Sequence, residues 1–155
     1  MTLDDLILAF GERYDVLFRR ATPTDIVAGV EAGVPRPVLD FFFAHEPKDP
    51  GIGIVRLFTV NQLVAGLATV PAIAWLASLG YYPLAGTPGD DLYCVRPVAG
   101  QKLEAQPVRL FGHTTDYTTT TPDKVAELGL LVAPNLEVFF QKALNGSIES
   151  SPARA

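Results

Sequence analysis

From Leu57 to Gly89 the chain carries no charged side chain, and few structures can absorb a run of that kind. A single helix crossing a bilayer needs about 20 predominantly apolar residues. Here Asn61, Gln62, Gly66, Thr69 and Gly80 interrupt the pattern, and Pro71 stands in mid-run, where it would remove a backbone hydrogen bond from a continuous helix. Proline is tolerated in the first turn of a helix and glycine stops one. The run therefore predicts two short buried helices, Asn61 to Ala68 and Pro71 to Leu79, at the centre of a folded domain with no membrane partner.

The rest of the chain supplies the remaining elements of that domain. A chain of 155 residues suits one domain with a sizeable core. Thr2 and Asp5 form a weak capping signal ahead of Leu3, Leu6, Ile7, Phe10, Tyr14 and Leu17, which recur at helical spacing and predict a helix from Leu3 to Phe18. Thr24 and Asp25 open a second helix that Gly33 ends, and Pro37 to His45 is a third, crowded with Phe41, Phe42 and Phe43. Pro and Gly make Glu46 to Gly53 a loop, and Ile54 to Phe58 reads as a strand. Tyr81 to Ala85, Leu92 to Val95 and Val108 to Phe111 are further strands, the first two separated by the turn Thr87-Pro88-Gly89. A helix is expected to start at Thr121-Pro122-Asp123, and a last one after Pro134. In that last helix one of Phe139 and Phe140 should be buried. The fold class is α+β: a single domain over residues 1–144, with a mixed or mainly antiparallel sheet of roughly four to six strands and helices packed on it. The small, polar stretch 145–155 is expected to be a disordered tail.

Charge and chemistry narrow the function. The formal net charge is −5, which disfavours nucleic acid, whose phosphates need clustered Lys and Arg, and favours a basic protein as partner. Met1 to Phe10 has Asp4 and Asp5 where a secretory leader would be positive, and Cys94 is the single cysteine, so a cytoplasmic location is expected. Cys94 lies between Tyr93 and Val95 in an apolar strand and reads as a core thiol, not a nucleophile. His113 and Asp116 could form a hydrogen-bonded dyad, without an accessible nucleophile to serve. His45, Glu46 and Asp49 fall short of the converging ligands a metal needs. Gly51-Ile52-Gly53 lacks the lysine and helix start of a phosphate loop. No catalytic residue, metal or cofactor is assigned. Asp90 and Asp91 are neighbours entering a strand, so their side chains should point to opposite faces.

Taken in order, Thr22-Pro23-Thr24-Asp25-Ile26, Val34-Pro35-Arg36-Pro37-Val38-Leu39-Asp40-Phe41-Phe42, Tyr82-Pro83-Leu84-Ala85, Gly89-Asp90-Asp91-Leu92-Tyr93-Cys94-Val95, Pro107-Val108-Arg109-Leu110-Phe111-Gly112-His113 and Leu136-Glu137-Val138-Phe139-Phe140 resemble the SUKH superfamily. The resemblance extends over roughly Leu6 to Leu144. It implies an α+β binding domain, since many members are bacterial immunity proteins against polymorphic toxins and others are fungal cell-wall regulators. Three functions stay open at this point: neutralisation of a toxin by stoichiometric binding, regulation through endogenous protein partners, and small-molecule or lipid binding by the apolar segment around Trp75, Tyr81 and Tyr82. For a basic toxin domain the contact residues expected are Asp90, Asp91, Asp116 and Asp123. A homodimer contact, if formed, would use Phe41 to Phe43 or residues 59–80.

Overall fold

Thr2 opens the first helix, α1 (Leu3–Tyr14), with a complete capping box: Asp5 N–H donates to the Thr2 hydroxyl, and the Asp5 carboxylate accepts from Thr2 N–H. The computed structural model describes residues 1–48 and 55–152. α1 stops short of the expected Phe18 because Asp15 turns into the left-handed region, φ 58°. The chain then folds back over Gly11, where an added Cβ would lie 2.6 Å from Val16 O and 2.7 Å from the Phe18 ring. Strand β1 (Phe18–Arg19), helix α2 (Pro23–Glu31), helix α3 (Arg36–His45) and strand β2 (Glu46–Pro47) follow, with β1 and β2 paired antiparallel. The loop expected over Glu46 to Gly53 thus begins as a strand, and its remainder from Asp49 lies outside the described residues, as does Ile54.

Strand β3 (Arg56–Leu57) leads into the uncharged run. Helix α4 (Val60–Thr69) has its own capping box between Thr59 and Gln62, and α5 (Pro71–Ser78) begins at the proline. The two helices meet at 97°, and neither is long and apolar enough to cross a membrane alone. Their buried side is Val60, Leu63, Gly66, Ala72, Ile73 and Leu76. Gly66 permits the close approach, since a Cβ there would sit 2.6 Å from Ile73 Cδ1.

The main sheet is antiparallel in the order β3-β4-β5-β6-β7, with β4 (Tyr82–Gly86), β5 (Leu92–Val95), β6 (Val108–Phe111) and β7 (Leu130–Ala133). A single α+β domain is therefore what the chain forms. β7 has no counterpart in the sequence expectation. The helix expected after Thr121 is a 3-10 turn, Val125–Leu128. Helix α6 (Leu136–Asn145) is capped by Asn135, whose side chain accepts from Val138 N–H.

The alternation of β5 gives the sheet two different covers. Tyr93 faces α6, its ring 5.2 Å from Phe139. Phe140 on the same helix meets Phe10 of α1 and Phe41 of α3. Both phenylalanines are buried, where one was expected, because α6 is gripped between the sheet and two other helices. On the opposite face Phe111 contacts Tyr81 and Tyr117, and Arg109 donates to Ala126 O, so residues 112–129 close that side. Phe41 and Phe42 are buried, leaving Phe43 exposed under Arg20. Beyond α6 the chain does not run free as expected over 145–149: Asn145 ends the helix, Ile148 is buried, the Tyr93 hydroxyl donates to Glu149 O, and Lys142 pairs with the Glu149 carboxylate.

Candidate functional site

The turn between β4 and β5 is fixed by three bonds: Thr87 N–H donates to Asp91 O, Asp90 N–H to Thr87 O, and Asp91 N–H to the buried Thr87 hydroxyl. Asp90 takes φ 67° in this turn, a left-handed conformation that short polar side chains tolerate. Its carboxylate is exposed to water. Asp90 is thus a turn residue, so the expected strand alternation with Asp91 does not apply.

Register decides what lies beside this turn. Leu92 pairs with Phe111, which brings the residues after β6 against Asp91. One carboxylate oxygen of Asp91 accepts from His113 N–H at 3.1 Å and lies 2.8 Å from His113 Nδ1. An ionised carboxylate can only accept, so Nδ1 carries the proton. The His113–Asp116 dyad that the sequence allowed is not formed. Asp116 instead accepts from the hydroxyl and N–H of Thr118 at 2.6 and 2.8 Å, and those bonds hold its carboxyl below the usual range. Tyr117, between them, is buried and donates to Gly112 O; burial pushes its hydroxyl up to about 12.

The four carboxylates expected to form one contact surface divide. Asp90 and Asp116 are exposed at the same end of the sheet, and Asp91 is there too, but its side chain is only 17% exposed and is engaged by His113. Asp123 is exposed and lies elsewhere. The preceding Pro122 O accepts from Arg96, which follows the far end of β5, so the loop carries Asp123 to the opposite end.

Between β3, the β4–β5 turn and the α4–α5 elbow lies a cleft of about 590 Å³. Ala65, Gly66, Val70 and Ile73 form its helical wall, and Leu57, Phe58 and Leu92 face them. Arg56, Thr87, Asp90 and His113 line the end nearest the turn. The apolar run does build a cleft, through α4 and the start of α5. Trp75, Tyr81 and Tyr82 are not in its lining: Tyr81 packs against Phe111, and Trp75 and Tyr82 are half-buried against the core.

Cys94 is wholly buried, and burial pushes its thiol well up, away from thiolate. It pairs with Arg109 across the ladder, four residues before His113, so thiol and imidazole are offset. Among the described residues no three His, Cys, Asp or Glu side chains converge as a metal site. His45 pairs with Asp4. Glu46, considered only as a metal ligand, is fully buried; it receives Arg19 on one oxygen and Val60 N–H, at the start of α4, on the other. Asp49 lies outside the described residues. Sequence reasoning also passed over Arg56, whose signal was available: it is the lone cation in Val55-Arg56-Leu57-Phe58. Glu46 had no such signal, since its partners lie at residues 19 and 60.

Comparison of the chain with protein-family models, with curated proteins and with solved structures finds no match.

Proposed function

We propose that this chain is a non-enzymatic protein-binding domain of the immunity type, which neutralises a basic toxin domain in the cytoplasm by covering it one to one. The observation that carries the reading is the state of three carboxylates. Asp90 and Asp116 at one end of the sheet, and Asp123 at the other, are exposed and, among the described residues, have no cationic partner. The Asp116 carboxylate is held by Thr118, and the backbone of Asp90 is fixed by its bond to Thr87 O. Charges displayed in fixed positions lose little freedom when a partner docks, and they raise the rate of encounter with an oppositely charged surface. The net charge of −5 acts in the same direction, and the SUKH-like sequence motifs agree with it. Asp91 belongs to the scaffold of the end that displays Asp90 and Asp116, because its carboxylate anchors the His113 loop.

Capture of a partner by the tagged chain from its native organism, followed by mass spectrometry and light scattering, tests the reading. A basic toxin-like protein held in a one-to-one complex is expected. An acidic partner sinks it, and a host regulator bound in place of a toxin moves the domain to the adaptor class.

A further inference from the structure

Every arginine among the described residues is engaged except one. Arg13 donates to Leu144 O, Arg19 to Glu46, Arg36 to Asp40, Arg96 to Pro122 O and Arg109 to Ala126 O, while Arg20 lies over the Phe43 ring. The Arg56 side chain has no ion pair and no hydrogen bond among these residues, although its Nε is buried. A guanidinium keeps its charge at any ordinary pH, and a buried donor without an acceptor is destabilising. Such a group has an evident use where it stands. Arg56 lines the polar end of the 590 Å³ cleft, and Val70, Ile73 and Ala65 form an apolar wall beside it.

We propose that this cleft binds a small amphipathic monocarboxylate, with the carboxylate on the Arg56 guanidinium and the apolar tail along α4 and the start of α5. The volume falls in the range of small-ligand sites, which are mainly apolar with a few placed polar groups. Guanidinium and carboxylate match in charge and in fork geometry. Asp90 lines the same end, so a second negative charge on the ligand is repelled, which selects one carboxylate over a phosphate or a dicarboxylate. Thr87 and Gln62 are further lining groups. The cleft shares Asp90 with the partner-binding reading but neither Asp116 nor Asp123, and its ligand preference is tested on the protein alone, without a partner.

The test is a titration of isotope-labelled protein, followed by amide resonances, with decanoate and 4-phenylbutanoate as carboxylate probes and decanol and decylamine as controls. At least one carboxylate is expected to bind saturably, shifting the amides of Arg56, Val70 and Ile73, about tenfold or more tightly than either control. Arg56→Gln should remove the preference for carboxylate over alcohol, and Arg56→Lys should keep part of it. Ala65→Trp, at an exposed position of the apolar wall, should weaken acid and alcohol alike. The proposal is overturned if neither carboxylate binds saturably, if the shifts map elsewhere, or if decanol binds the wild-type protein as tightly as decanoate. The wild-type comparison stands even if an Arg56 variant does not fold.

Discussion

Between α6 and the sheet every large group has a partner: Phe139 meets Tyr93 edge-on, Phe140 meets Phe10 and Phe41, and the Tyr93 hydroxyl reaches Glu149 O. At the β4–β5 turn the reverse holds. Asp90 and Asp116 face water without a cation, Arg56 has a buried donor without an acceptor, and a cleft lined by Arg56 and Asp90 stays open. Native structures satisfy nearly all their buried polar groups and fill their interiors. Departures gathered at one end of a sheet, beside a region with none, separate the part that holds the fold from the part available to a partner. Substitutions in the first region should lower stability and leave binding alone, and substitutions in the second should do the opposite.

The largest effect is expected at α6. Phe139→Ala and Phe140→Ala should each cost about 3–5 kcal/mol, read from the denaturant midpoint, with partner affinity unchanged for whatever fraction stays folded. A wild-type midpoint for either variant means α6 is not packed as described. Glu46 comes next. Glu46→Ala leaves Val60 N–H buried without an acceptor while Arg19, 44% exposed, recovers water, so a loss of about 1–3 kcal/mol is expected. Glu46→Gln keeps an acceptor and should cost less; equal losses would show that charge, not the bond to Val60, matters at this site.

Much of this division was legible in the sequence, where the determinants are local. Pro71 and Gly80 mark the bounds of the second buried helix, and the apolar runs at 81–85, 92–95 and 108–111 mark the strands. What escaped depends on pairing across long separations. His113 was matched to Asp116 by proximity along the chain, but the Leu92–Phe111 register brings Asp91 to it. Leu130–Ala133 pairs with β6, and its four residues sit between two helical signals that mask a strand. Ile148 is buried in a stretch whose composition is otherwise that of a tail. Both Phe139 and Phe140 are covered because α1 and α3 close over the flank of α6, which no periodicity of α6 alone reveals.

A smaller effect concerns Cys94. Its burial and raised pKa predict slow reaction with a thiol reagent in the native protein and fast reaction after denaturation, with partner binding intact in Cys94→Ser. Rapid native labelling would place Cys94 with the open region and erase the contrast. The smallest effect is a pH dependence at His45. Burial, opposed by Asp4 and Glu104, sets its pKa below 6.5 in the folded protein. On acidification the unfolded chain therefore takes the proton first, so stability declines as pH falls through about 6.5 and levels off below the folded pKa. His45→Gln should flatten that slope in denaturant titrations between about pH 7 and 5; an unchanged slope assigns the dependence to other groups.

The separation of fold from function is tested most directly by the association rate of the captured partner with Asp90→Asn/Asp116→Asn/Asp123→Asn, measured at low and at physiological salt. The account predicts a variant with the wild-type denaturation midpoint that associates more slowly, on the order of tenfold at low salt, with a weaker salt dependence. A control variant, Asp4→Asn/Glu12→Asn, should change the rate less. Unchanged rates and unchanged salt dependence in a folded triple variant would contradict it.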